Sequence, residues 1–152
     1  MQLDNNNIKT INNGSFGGLD NLSNLNLSNN MISKIERGAF KNLKKLKLLD
    51  LHFNRINNLP PEVFQNLISL KHLNLNENYF EFLEQPVFTY SKELEDFWWR
   101  LTATIFQNLI LLSRLDLSRN KLMSLQEDIF KNNENLQILD LSFNYLKMIP
   151  SE

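Results

Sequence analysis

An asparagine returns along this chain at Asn6, Asn30, Asn54, Asn78, Asn120 and Asn144, and four of the five intervals are 24 residues. Around each one the same apolar frame recurs. It is seen whole in the second copy, as Leu22, Leu25, Leu27, Asn30, Ile32, Ile35, Phe40 and Leu43. A fixed period of this length is the signature of a solenoid, in which each unit buries its apolar face against the next copy. That constraint overrides residue-by-residue propensity.

The first copy is under way from the start, with Met1, Leu3, Asn6, Ile8, Ile11, Phe16 and Leu19 in the slots of the second. The third holds Leu46, Leu49, Leu51, Asn54, Ile56, Leu59, Phe64 and Leu67. The fourth reads Leu70, Leu73, Leu75, Asn78, Phe80, Leu83 and Phe88, and is then interrupted. The fifth resumes at Leu112 and the sixth stops after Ile149 and Pro150. Residues 1–152 are therefore expected to form a single solenoid of about six repeats, the first and last incomplete.

Each slot has a physical reason. In Leu25-Asn26-Leu27 the period is two, so a short strand points both leucines inward and leaves Asn26 and Ser28 facing solvent. The asparagine slot needs a side chain that both donates and accepts, because the chain turns there and leaves inward backbone groups to be paired. Stacked copies then form an asparagine ladder. Phe16, Phe40, Phe64, Phe88 and Phe130 are expected to stack on the opposite side, each contributing about 1.5–3 kcal/mol by burial.

These residues resemble the leucine-rich repeat in its 24-residue form, LxxLxLxxNxLxxLPxxxFxxLxx, over nearly the whole chain outside residues 89 to 106. The resemblance implies an α/β repeat solenoid. It would be a right-handed superhelix with a concave sheet of short parallel strands and a mostly irregular convex side. Repeats of this form are similar to those of Toll-like receptor ectodomains, Slit-type guidance proteins and small leucine-rich proteoglycans. The likeness to Toll-like receptors implies a non-catalytic, glycosylated recognition module of an extracellular or cell-surface receptor or secreted adaptor, with a role in innate immune signalling. Such members carry Cys-rich caps, and this chain has no Cys. It is thus expected to be a fragment or an incomplete gene model of a larger ectodomain, with self-association through uncapped ends. The lack of Cys and of a signal peptide keeps a different reading open, an intracellular cytoplasmic scaffold or enzyme-regulating protein.

Asn78 to Asn120 spans 42 residues, a repeat plus 18. The insertion is placed at residues 89–106, since Ile105-Phe106-Gln107-Asn108-Leu109 repeats Val63-Phe64-Gln65-Asn66-Leu67. Within it Ser91 suits a helix cap, and Leu94, Phe97, Trp98, Leu101 and Ile105 recur at helical spacing, which predicts a short amphipathic helix. Its apolar face would cover the flank of the solenoid. Alternatively Phe97, Trp98 and Trp99, beside Glu95, Asp96 and Arg100, have the composition of a binding hot spot. A third reading is untranslated sequence retained in a faulty gene model.

The period also names the concave positions. Between the inward leucines lie Gln2, Asn26, Asp50, Asn74, Asp116 and Asp140; next come Asp4, Ser28, His52, Asn76, Ser118 and Ser142; then Asn5, Asn29, Phe53, Glu77, Arg119 and Phe143. The candidate binding residues are Asp50, His52, Phe53, Asn74, Asn76, Glu77, Asp116, Arg119, Asp140 and Phe143. A polar array with two aromatic points suits a protein partner better than a lipid, which needs a sizeable apolar pocket.

Other classes find little support. A net charge of −1 argues against nucleic acid as partner, and no apolar run is long enough for membrane insertion by this segment. No cofactor or metal site is expected. Asp116 and Asp140 would sit side by side, a geometry that can share a proton or hold a cation, but Arg114 and Arg119 balance them. Asp50 and His52 share a face without a nucleophile beside them, so no catalytic residue is assigned. The run Lys34, Arg37, Lys41, Lys44, Lys45 and Lys47 reads as a solvated face. Three N-x-S sequons offer glycosylation at Asn13, Asn21 and Asn26. A glycan on Asn26 would stand on the concave sheet.

Overall fold

The computed structural model describes residues 1–83 and 105–149, and over these the expected solenoid is present. Three-residue strands recur at β2 (Asn24–Asn26), β4 (Leu48–Asp50), β5 (His72–Asn74), β6 (Arg114–Asp116) and β7 (Ile138–Asp140). All neighbours pair in parallel and in register, so Leu25, Leu49, Leu73, Leu115 and Leu139 form one inward column. A second, two-stranded sheet joins β1 (Thr10–Ile11) to β3 (Lys34–Ile35) where the chain turns back. The core is the stack of these inward residues. Leu49 and Leu51 are fully buried, whereas Leu139 in the last described strand is 37% exposed.

The strands stay short because the residue just before each slot asparagine adopts a left-handed backbone. Asn5, Asn29, Phe53, Glu77, Arg119 and Phe143 all have φ between 49° and 57°. That reversal aims the next side chain inward. Asn78 Nδ2 then donates to the carbonyls of Leu51, Leu75 and Asn76, and its Oδ1 accepts the Ile56 N–H at 3.0 Å. The pattern repeats at Asn30, Asn54, Asn120 and Asn144, each serving its own turn and the one before. Asn6 bonds only to the carbonyls of Leu3 and Asp4.

Away from the sheet the chain runs through successive tight turns, as in the Leu43 N–H to Phe40 and Leu46 N–H to Leu43 bonds, both 3.0 Å. Gly14 and Gly38 hold φ of 75° and 80° there, and Glu62 takes the equivalent place at 61°. The phenylalanine stack is present. Ring centroids lie 5.8 Å apart for Phe16 and Phe40, 6.2 Å for Phe40 and Phe64, and 5.7 Å for Phe106 and Phe130.

The last pair shows where the repeat phase has resumed. Phe106 occupies the phenylalanine slot of the fourth turn, fully buried, and Ile105 is buried beside it as Val63 is beside Phe64. These two residues take the slots that Val63 and Phe64 take a turn earlier, so the repeat phase is restored by Ile105, as the likeness of Ile105–Leu109 to Val63–Leu67 implies. The remainder of the expected insertion, with Phe97, Trp98 and Trp99, lies outside the described residues, as does Phe88. One slot departs from the frame. Asn133 stands where Leu43, Leu67 and Leu109 stand in other turns, is buried, and donates to the carbonyls of Phe106 and Leu109.

Candidate functional site

The outward side of the concave sheet is built by strand alternation. Asn24, Leu48, His72, Arg114 and Ile138 share one register position, and Asn26, Asp50, Asn74, Asp116 and Asp140 share another. Between β4 and β7 the two columns enclose an open trough of about 580 Å³. The first column adds His72, Arg114, Leu48 and Ile138 to the residues expected on this face. It lies one strand step before the inward leucine, so the same period-two argument locates it.

The second column is half structural. Each member is an Asn or Asp whose Oδ1 accepts the backbone N–H two residues on. Asn26 serves Ser28, Asp50 serves His52, Asn74 serves Asn76, Asp116 serves Ser118 and Asp140 serves Ser142, at 2.9 to 3.2 Å. This is the Asx turn, and it closes the strand before the left-handed residue. The sequence signal was the Asn/Asp identity itself, present in every copy after Gln2.

Asp116 and Asp140 are register partners. The Asp140 carboxyl is held below its usual value by the Ser142 hydroxyl and N–H, opposed by burial and aided to a lesser degree by Arg119. Asp50 Oδ1 also lies 2.9 Å from His52 Nδ1, so this pair is an intraturn contact. Among the described residues no group of three or more His, Asp or Glu side chains is placed to hold a metal ion.

The second expected column differs from prediction at two of its three serines. Ser28 is only 2% exposed and Ser118 is buried too, because the short side chain tucks beneath the turn instead of facing solvent. His52 is half-buried, and Asn76 is half-buried with Oδ1 covered and without a hydrogen-bond partner. Phe53, Glu77, Arg119 and Phe143, one step further, project outward. Arg119 lies 4.5 Å over the Phe143 ring centroid, with its Nε 4.0 Å from Glu77 Oε1.

A further outward row follows the ladder asparagines and was not among the expected positions: Arg55, Tyr79, Lys121 and Tyr145, all exposed. Lys121 Nζ lies 5.0 Å over the Tyr79 ring. Lys34 pairs with Glu36, Arg37 with Glu62, and Lys45 with Asn21 Oδ1. Of the sequon residues, Asn13 and Asn21 are exposed and Asn26 is half-buried.

A family model for the leucine rich repeat matches residues 1–56, 44–97 and 99–152. The chain belongs to the leucine-rich repeat family. No curated protein matches it. Among solved structures, the APL1 leucine-rich repeat domain aligns at 28% identity and a TM-score of 0.80, over 96% of this chain and 34% of that one. The LRIM1/APL1C complex aligns at 28% identity and 0.79, over 95% and 24%. A leucine-rich repeat protein of Leptospira interrogans aligns at 26% identity and 0.76, over 97% and 32%. The chain thus spans about a quarter to a third of the chains it matches. This leucine-rich repeat solenoid has the architecture of a protein-interaction module.

Proposed function

We propose that this leucine-rich repeat chain is a non-catalytic recognition element of an extracellular or cell-surface receptor of the Toll-like kind, or of a secreted adaptor, and that it binds a protein on its concave face. One observation carries the reading. The inward column is leucine in all five strands of the sheet, while the outward column beside it holds Asn24, Leu48, His72, Arg114 and Ile138. Packing dictates the first column and leaves the second free, so the second is where a partner's shape and charge can be matched. The solved neighbour that holds LRIM1 with APL1C, a complex, supports a protein as partner. Exposed sequon residues Asn13 and Asn21 support an extracellular setting.

The test has two arms. An array of secreted and cell-surface proteins is probed with the biotinylated chain, in parallel with a His72→Glu/Arg114→Glu variant that keeps its thermal transition. Hits lost in the variant place the contact in the trough, hits indifferent to it place the contact on another part of the surface, and an array without hits refutes protein recognition. The chain expressed in a secreting eukaryotic host is then examined by mass spectrometry. Glycans on Asn13 or Asn21 are expected, and failure to secrete argues for an intracellular protein.

A further inference from the structure

Four bulky or charged side chains occupy a backbone position that disfavours them. The left-handed residue of each turn is Asn5 and Asn29 in the first two, as its conformation favours, but Phe53, Glu77, Arg119 and Phe143 in the turns that follow. Burial does not offset that strain. Phe53 is 54% exposed although its turn has neighbours on both sides, and Phe143 and Arg119 are exposed as well. A strained residue kept on the surface, where an asparagine fits better, is a mark of function.

The row across the ladder has the same character. Tyr79 is 47% exposed in an interior turn, Arg55 and Lys121 stand on either side of it, and Tyr145 completes the row. Part of each row is positioned by contacts within the surface. Arg119 lies between Glu77 and Phe143, and Lys121 over Tyr79, which lowers the side-chain entropy these two lose on binding. The two rows carry three cations, Arg55, Arg119 and Lys121, against the single carboxylate of Glu77. Of these three cations only Arg119 has a carboxylate partner among the described residues.

We infer that these two rows, and not the trough floor, form the main contact surface, and that they take an acidic protein segment carrying aromatic or aliphatic side chains. The inference rests on the protein-recognition reading above. Carboxylates of the segment meet Arg55 and Lys121, and its apolar groups meet the faces of Phe53 and Tyr79. The trough floor, lined by Asp50, Asp116 and Asp140, repels the same acidic groups and so sets where the segment lies.

A phage-displayed random-peptide library is selected on the intact chain, and the enriched peptides are synthesised and titrated by fluorescence anisotropy. Enriched peptides should combine Asp or Glu with apolar residues. Their affinity should fall by about tenfold or more in Phe53→Asn/Phe143→Asn and in Tyr79→Ser/Lys121→Ser. The first variant should meanwhile keep or raise its urea midpoint, since asparagine suits the left-handed turn; a loss of folding there would leave the second variant as the deciding one. Enrichment of peptides without carboxylates, or affinity untouched by both row variants, overturns the inference. Binding abolished instead by His72→Glu/Arg114→Glu moves the site to the trough, so that protein recognition stands and this inference falls. If no peptide enriches, both fall. Heparin binding to the rows, weakened by Lys121→Ser but not by Tyr79→Ser, also overturns it, because the partner is then a polyanion without apolar contacts.

Discussion

Replacing Asn78 by Ala tests the ladder against a control built into the same chain. The substitution leaves the buried Ile56 N–H with no acceptor, which costs about 1–3 kcal/mol. The carbonyls of Leu51 and Leu75 each lose one donor but keep another, from Asn54 and Asn120, so each loses an ordinary net hydrogen bond of about 0.5–1.5 kcal/mol. The sum is about 2–6 kcal/mol, a large share of the roughly 5–15 kcal/mol that holds a domain together. Asn6→Ala removes the same side chain from the same slot, but Asn6 is exposed and bonds only to Leu3 and Asp4 of its own turn. It should cost under about 1 kcal/mol. Urea unfolding followed by far-UV circular dichroism measures both, with midpoint and slope reported separately because a repeat array can lose cooperativity. The two variants lying within about 0.5 kcal/mol of each other would refute the reasoning, since that is the scatter expected of surface substitutions.

Phe106→Ala should destabilise by about 3–5 kcal/mol, since the ring is fully buried against Phe130; a change under about 1 kcal/mol in chemical denaturation would remove Phe106 from the stack. Gly14→Ala and Gly38→Ala both force a Cβ into a left-handed backbone, at about 1–2 kcal/mol each. Gly38 should cost more, because its Cβ meets Asn13 Oδ1 at 3.0 Å while that of Gly14 meets open space. Acid should weaken the fold through Glu36 and Asp140. Hydrogen bonds from the Asn13 N–H and Lys34 lower the Glu36 pKa, and those from Ser142 lower that of Asp140. A lowered folded-state pKa gives stabilisation that is complete above the unfolded value and lost as pH falls through the folded one. The urea midpoint should therefore drop below about pH 4, and Asp140→Asn should flatten part of that drop while keeping the Asx turn, as Asn26 and Asn74 do naturally. A midpoint that falls as steeply in the variant would remove Asp140 from the account.

The frame was legible because each structural slot admits one kind of side chain. Leucine at 25, 49, 73 and 115 and asparagine at 30, 54, 78 and 120 answer to burial and to orphan backbone groups, and both demands repeat with the period. The Asx column was harder, because Asp50 and Asp116 are charged and point outward, so they read as recognition residues although their Oδ1 atoms close the turn. Ser28 was misplaced for a related reason. Alternation predicts its side, but the left-handed residue that follows folds the turn over it. At the fourth turn two phenylalanines compete for one slot. Spacing from Asn78 favours Phe88 and spacing to Asn120 favours Phe106; burial against Phe130 places Phe106 there.

Left-handed geometry links stability to recognition in this chain. The ladder asparagine can reach inward only if the residue before it reverses the backbone, and that reversal sends the preceding side chain out to solvent. Every turn that adds a rung therefore adds one display position beside it. Asn5 and Asn29 use that position at little conformational cost, and Phe53 and Phe143 use it at a higher one. The two demands should separate under substitution: asparagine at 53 and 143 gains stability and loses contact area, whereas serine at Tyr79, a position without left-handed strain, loses contact area alone. A solenoid that gained no stability from the first change would show that its turns tolerate any residue there, and the presence of phenylalanine would then carry no functional meaning.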